Sequence, residues 1–190
     1  MRLALSFILI SSLSTVAQAE GAYVEGGTFT RHYNLSVPNA TAAGDSATGY
    51  AVAPALRLGY EIDERWAVEA GYFNHGSPAY SYSLAGADGR LTSGGYSWVM
   101  AGRMTLPLND RFALVGRLGL ASNHSSLSGT GVAANSAVSG STTALYGGLG
   151  LETKLSPNWH LGVGWEGLGM NRDKGGSVIN GLSTTLRYKF

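Results

Sequence analysis

Cysteine is absent from all 190 positions. That excludes a disulfide framework, thiolate metal ligation and thiol catalysis. Charge is scarce: Asp, Glu, Lys and Arg make up 13% of the chain, about half of the roughly 25% of an ordinary soluble domain. The 13 basic and 12 acidic residues nearly cancel, so nothing points to nucleic acid as a partner. Beyond residue 19 no apolar run is long enough to span a bilayer as a helix. Ligand spacing is missing too. His32, His75, His124 and His160 sit on separate segments, and we expect neither a metal nor a cofactor. Gly147-Gly148-Leu149-Gly150 falls inside a strand pattern rather than before a helix, so it reads as close packing and not as a phosphate cradle.

What the chain does have is glycine, 28 of 190 residues, and alternation. The last stretch shows it most clearly. Leu182, Leu186, Tyr188 and Phe190 fall on one side, and Ser183, Thr185, Arg187 and Lys189 on the other. A period of two marks a strand with two unlike faces. Tyr50–Glu61 repeats the pattern, with Tyr50, Val52, Leu56, Leu58 and Tyr60 against Ala51, Ala53, Ala55, Arg57 and Glu61. Pro54, which lacks a ladder donor, predicts a bulge or distortion there. Strands starting near Trp66, Tyr96, Phe112, Leu145 and Trp159 split the same way. The first segment, Ala22–Tyr33, is less regular, because Phe29 and Tyr33 share the parity of Glu25; a bulge at Gly26-Gly27 would repair it.

Eight such segments, each of roughly 9–13 residues, suffice for tilted membrane-spanning strands. Three connections are short, with Asp, Asn or Pro turn chemistry: Ile62-Asp63-Glu64, Pro107-Leu108-Asn109-Asp110 and Ser156-Pro157-Asn158. The others are longer. Asn74–Ser93 reads as a Gly-rich connection, Asn123–Gly140 as a mobile Ser/Gly/Ala loop, and Asn171–Gly176 as a last, medium loop. No segment remains to cover the apolar faces. In water those rows would form a very large exposed patch; in lipid they are the required surface. The expected fold is all-β, an eight-stranded antiparallel up-and-down transmembrane β-barrel, with short turns and both termini on the periplasmic side. Met1–Ala19 reads as a signal peptide, with Arg2, the apolar run Leu3–Ile10 and the small-x-small site Ala17-Gln18-Ala19. The barrel domain is then 20–190.

Parity puts Arg57, Glu69, Arg103, Arg117, Glu152, Glu166 and Arg187 on the inward side, joined by Glu25 if the first register holds. Four carboxylates thus meet four guanidiniums, whose fork geometry suits carboxylates. Eight strands leave an interior just wide enough for side chains, so a plug of ion pairs is favoured over a gated pore. A narrow porin-like channel for small solutes remains the alternative. His32, His75 and His124 fall near the outer loops, where a solvated histidine needs no role.

The eight alternating strands, long outer loops, tight inner turns and the terminal Leu186-Arg187-Tyr188-Lys189-Phe190 resemble the OmpA-like transmembrane barrels and the related opacity-type surface proteins. The likeness covers essentially the whole mature chain. It implies residence in the bacterial outer membrane among lipid and lipopolysaccharide, and a structural or adhesin-like, non-enzymatic role presented by the loops to a host or phage surface. Leu186, Tyr188 and Phe190 resemble the C-terminal signal read by the barrel-assembly machinery. The peptidoglycan-binding domain that many such proteins carry has no counterpart here. His124 and Ser126 share a His-x-Ser spacing with the lipid A deacylases, also eight-stranded barrels. That likeness covers two residues only and supports a lipid-modifying enzyme as the least favoured alternative.

Overall fold

The computed structural model describes residues 21–35, 41–42, 48–132, 137–169 and 179–190. The expected signal peptide and the loop 171–176 lie outside them. Ten strands run in chain order: β1 (Ala22–Asn34), β2 (Thr41–Ala42), β3 (Thr48–Glu61), β4 (Trp66–Asn74), β5 (Ala79–Leu84), β6 (Ala87–Pro107), β7 (Phe112–Gly131), β8 (Val138–Lys154), β9 (Trp159–Leu168) and β10 (Ile179–Lys189). Eight of them close into a barrel. β1 pairs with β3 and β10, β6 with β4 and β7, and all pairings are antiparallel. Closure leaves no open edge within the lipid-spanning part, which is what makes a sheet viable there. No described helix is long and apolar enough to cross a membrane.

The short turns are built by side-chain caps. Asp63 Oδ1 accepts from the amides of Arg65 and Trp66 at 2.7 and 2.8 Å. Asn109 Oδ1 accepts from those of Arg111 and Phe112 at 2.9 and 2.8 Å, and Ser156 Oγ from that of Trp159 at 3.1 Å. Each side chain substitutes for a backbone acceptor and fixes the reversal. Both ends of the described barrel meet at this rim, where the Phe190 amide donates to the Ala22 carbonyl at 3.0 Å.

The faces follow the parity of the sequence. Leu118 and Met100 are 67% and 74% exposed on the outer wall, whereas Arg57 and Arg103 inside are each 1% exposed. Four expectations change. The register of β1 runs one-to-one against both neighbours from Tyr23 to Arg31, with no bulge at Gly26-Gly27. Phe29 therefore points inward, packed edge-on against Phe73 with centroids 5.5 Å apart. Its parity with Glu25 needed no repair, because the lumen holds an apolar layer. Pairing also passes through Thr28↔Pro54 without a break, and the ladder to β4 stops at Ala55. A residue without an N–H is tolerated where a ladder ends.

The third change concerns Asn74–Ser93, which contains a hairpin, β5 against the start of β6. The fourth concerns Asn123–Gly140. Most of it belongs to β7 and β8, whose ladder continues to Leu127↔Val138. These strands, with β6, have 20, 17 and 21 residues, well beyond the 9–11 that cross a bilayer.

Candidate functional site

The lumen is layered. At the short-turn end an open cavity of about 590 Å³ is lined by Glu61, Glu152, His160, Arg187 and Lys189 together with turn residues. Above it lies the ion cluster. Arg57 pairs with Glu25 and, at 2.5 Å, with Glu166. Arg117 Nε donates to Glu69 Oε2 at 2.8 Å and its Nη2 to Glu25 Oε2 at 3.0 Å. Arg103 reaches Glu152 at 2.9 Å and Glu69 at 3.7 Å. Arg187 joins Glu152 at 2.5 Å to Glu61 at 3.0 Å, and Lys189 closes on Glu61 at 2.5 Å. The eight residues expected inside from parity thus stand in one connected network.

Two participants extend it at the rim, Glu61 and Lys189. Three neutral donors complete it: Tyr23 to Glu69 at 2.8 Å, Tyr146 to Glu166 at 2.5 Å and Ser183 to Glu166 at 3.1 Å. Aromatic faces cover the guanidiniums. Arg57 lies 4.7 Å from the Phe73 centroid and Arg187 5.0 Å from that of Tyr23. Glycine makes room at the paired position on the neighbouring strand. A methyl at Gly59 would overlap the Tyr23 ring, and one at Gly148 would overlap the Glu166 carboxylate. Alternation alone put Glu61 and Lys189 on the polar side of their strands and Tyr146 on the inward side of its own. Tyr23 lies in the first segment, whose register the sequence left open.

Over the ion cluster sits the apolar layer: Phe29, Phe73, Val99, Ala121, Tyr146 and Leu168, all buried and mutually packed. Beyond it His75 Nε2 meets Ser97 Oγ at 2.7 Å, Ser97 donates to Asn123 Oδ1, and Asn123 Nδ2 donates to the Leu168 carbonyl at 3.3 Å. His75, just past the end of β4, is buried rather than solvated. Burial, reinforced by the nearby Arg31 guanidinium, holds its imidazole down at about 4. Side chains at these levels are buried.

His124 and Ser126 lie on the same outer face of β7, opposite Ser141 and Ser139 of β8. His124 Nδ1 meets Ser141 Oγ at 3.0 Å, and its ring stacks on Tyr96 at 5.1 Å. Among the described residues no cluster of three or more His, Asp or Glu is arranged to hold a metal. Leu186 and Phe190 lie exposed on the lipid-facing wall, and Tyr188 is wedged between Trp159 and Phe190, with centroids 4.9 and 5.1 Å away.

Above the lipid belt the molecule continues as a sheet, β2-β5-β6-β7-β8. Its inner side carries Tyr80, Tyr82 and Leu91, packed with Leu35, Leu84 and Leu127. Its outer side is polar. Ser122, His124, Ser126, Ser128 and Thr130 of β7 lie beside Thr143, Ser141 and Ser139 of β8, and Arg90 and Thr92 of β6 lie on the other flank. Asp88 and Arg90 are its only formally charged side chains among the described residues.

Known structures share this architecture. The attachment invasion locus protein Ail of Yersinia pestis, solved in complex with the heparin analogue sucrose octasulfate, is 20% identical; the match covers 90% of this chain and 100% of that one, with a TM-score of 0.55. The N-terminal β-barrel domain of Pseudomonas aeruginosa OprF is 13% identical, covering 90% and 100%, with a TM-score of 0.54. Neisserial surface protein A is 16% identical, covering 90% and 98%, with a TM-score of 0.50. Curated proteins offer no match to the sequence. The family model for the outer membrane protein beta-barrel domain matches residues 3–190. With exposed leucines outside a charged interior, this chain belongs to that family and is a protein of the bacterial outer membrane.

Proposed function

We propose that this protein is a non-enzymatic surface barrel whose lumen serves as a structural plug and whose work is done by the sheet standing beyond the membrane. The observation that carries the reading is the continuation of β6, β7 and β8 past the lipid belt as an ordered platform with its own small core. A membrane anchor alone has no need of it. The ion network and the apolar layer above it argue against a solute path, and the engagement of His124 Nδ1 with Ser141 Oγ argues against a His124–Ser126 lipid-modifying pair. The eight charged lumen residues act, in this reading, as a register lock. Misaligned strands would leave charges buried without partners, which is costly.

Ail was crystallised with a polysulfated ligand. The outer sheet here is hydroxyl-rich and nearly neutral among its described residues, which favours contact with uncharged polypeptide or sugar over a polyanion. Residues 1–19 would be the export signal. Leu186, Tyr188 and Phe190, aligned along the lipid-facing side of β10, would be read by the assembly machinery before the barrel closes. Bacteria displaying the protein should adhere to host-cell or matrix-coated surfaces. Adhesion should be lost when the tips of the β5–β6 hairpin and of β7–β8 are trimmed to the rim. Planar-bilayer recordings of the purified protein should show no stable open steps. Steps that persist in the intact protein would replace this reading with a channel.

A further inference from the structure

We infer that a hollow in the lower outer wall, centred on Gly102 and Gly116, seats one acyl chain of a phospholipid from the inner leaflet. The seat is independent of what the outer sheet binds. Strand register lays it out. One row across the wall runs Trp66↔Met104↔Gly116↔Leu149↔Trp165, and the next row up runs Val68↔Gly102↔Leu118↔Gly147. Side chains stand at Met104, Leu149 and Leu118, and glycine leaves the wall bare between them. The result is a trough of about 580 Å³ that passes under Leu118, with an indole at either side.

Among the described residues nothing packs over these glycines. A methyl at Gly119, on the inner face, would run into the Met100 carbonyl, and one at Gly59 into the Tyr23 ring. At Gly102 and at Gly116 the nearest atom a methyl would meet is 4.0 Å away. Glycine inside a strand costs backbone entropy and offers no side chain to pack. Two such positions on adjacent strands, with open space above both, fit a close approach by something outside the chain.

Position and chemistry name the occupant. The trough is continuous with the wall that faces lipid. Gly116 stands four residues above Phe112 at the short-turn rim, roughly 10 Å higher on a tilted strand. The hydrocarbon core is about 30 Å thick, so the trough opens to the leaflet on the periplasmic side. Among the described residues that line it only Arg117 is charged, and its guanidinium turns inward to Glu25 and Glu69. A hydrocarbon chain matches such a lining, whatever its headgroup. The row from Trp66 to Trp165 spans four strand spacings, roughly 19 Å, the reach of most of one long chain. On a smooth wall a chain touches protein along one side. In the trough it also touches Leu118, Met104 and Leu149, gaining dispersion contacts that an unfilled gap forfeits.

A second copy matches the hollow poorly. Two copies in one membrane share an outward direction and meet about a two-fold axis along the membrane normal. Centred here, that axis sets hollow against hollow and leaves the space empty.

The test uses the full protein in lipid nanodiscs. The probe is a phosphatidylethanolamine with a diazirine at the middle of one acyl chain, and photolysis is followed by peptide mass spectrometry. Adducts should concentrate several-fold on Gly102–Met104 and Gly116–Leu118 over Leu161–Val163, whose paired outward positions Leu151, Thr184 and Leu186 all carry side chains. The same preference should appear with phosphatidylglycerol. Gly102→Leu/Gly116→Leu fills the hollow from lipid-facing positions. It should keep the heat-modifiable gel shift and bring the adducts on β6 and β7 down to the Leu161–Val163 level. Should the double variant lose that shift, Gly116→Ala takes its place, with a partial drop expected and an unchanged yield overturning the seat. Even labelling around the wall would overturn the inference, as would labelling that survives filling or that requires the anionic headgroup. The chain has no cysteine, so Leu118→Cys carries the only thiol. This variant should stay monomeric under oxidation in proteoliposomes. Disulfide-linked dimers forming readily would give the hollow to a second copy and overturn the lipid seat.

Discussion

The membrane-spanning barrel and the sheet above it are built from the same strands and obey opposite rules. Along β7 one side-chain parity runs unbroken from Leu114 through Leu118 and Leu120 to Ser122, Ser126 and Thr130. The outward face is apolar below and polar above. Inward, Arg117 of the barrel gives way to Leu127 in the small outer core. The geometry is continuous while the solvent changes, so the level of Tyr96 and Ser122 marks where lipid ends. Closure differs too. Below that level every barrel strand has two neighbours; above it, among the described residues, β8 pairs with β7 alone.

The comparison breaks most sharply at the charges. Arg57→Ala would leave Glu25 and Glu166 buried without their shared partner and should cost about 3–5 kcal/mol. Arg90→Ala, on the outer face of the sheet, should cost about 0–1 kcal/mol. Urea unfolding in lipid vesicles, followed by tryptophan fluorescence, reads both; equal midpoints would mean that the lumen network is dispensable.

A paired substitution locates the lipid boundary. Leu118→Arg places a charge on the lipid-facing wall and should destabilise by about 2–4 kcal/mol, whereas Ser126→Arg, four turns of the alternation higher on the same face, should cost about 0–1 kcal/mol. Similar losses at both sites would show that lipid reaches past Ser122.

Glycines separate the regions by packing. A methyl at Gly119 would run into the Met100 carbonyl and the Ala101 backbone, while one at Gly140 meets nothing within 4 Å. Gly119→Ala should therefore cost about 1–3 kcal/mol. Gly140→Ala should be neutral or stabilise by about 0.5–1 kcal/mol through the unfolded chain. A heat-modifiable gel shift ranks the pair.

The smallest effect lies at the border itself. His75 is held at about 4, so an unfolded chain takes up its proton first as pH falls through about 6.5. Stability is full above that value and declines toward pH 4. Between pH 6.5 and 5 the loss should be roughly 1–2 kcal/mol. His75→Gln should flatten this slope, and an unchanged slope would place the titrating group elsewhere.

Much of the barrel was legible beforehand because alternation is local. Leu182, Leu186 and Phe190 declare their face without reference to any partner, and so do Arg57, Glu69 and Arg187. Phe29 was misread for the same reason. Parity said inward, apolar character said outward, and a bulge was invoked to reconcile them. Only the facing Phe73 and Tyr146 show that an aromatic layer fills the lumen there. Asn123–Gly140 misled through composition. Serine and glycine suggest a loop, yet pairing with β6 and β7 holds most of that stretch in strands.

By itself, then, the amino-acid order determined the eight alternating strands, the side each charge takes and the lipid-facing exterior, since a period of two needs only neighbouring residues. The folded molecule alone decided which carboxylate meets which guanidinium, how high β6, β7 and β8 rise, and where the pairing of β8 with β9 ends. Those outcomes depend on stagger around the closed barrel and on distances across it. They join residues such as Arg57 and Glu166, far apart along the chain, and no local pattern records them.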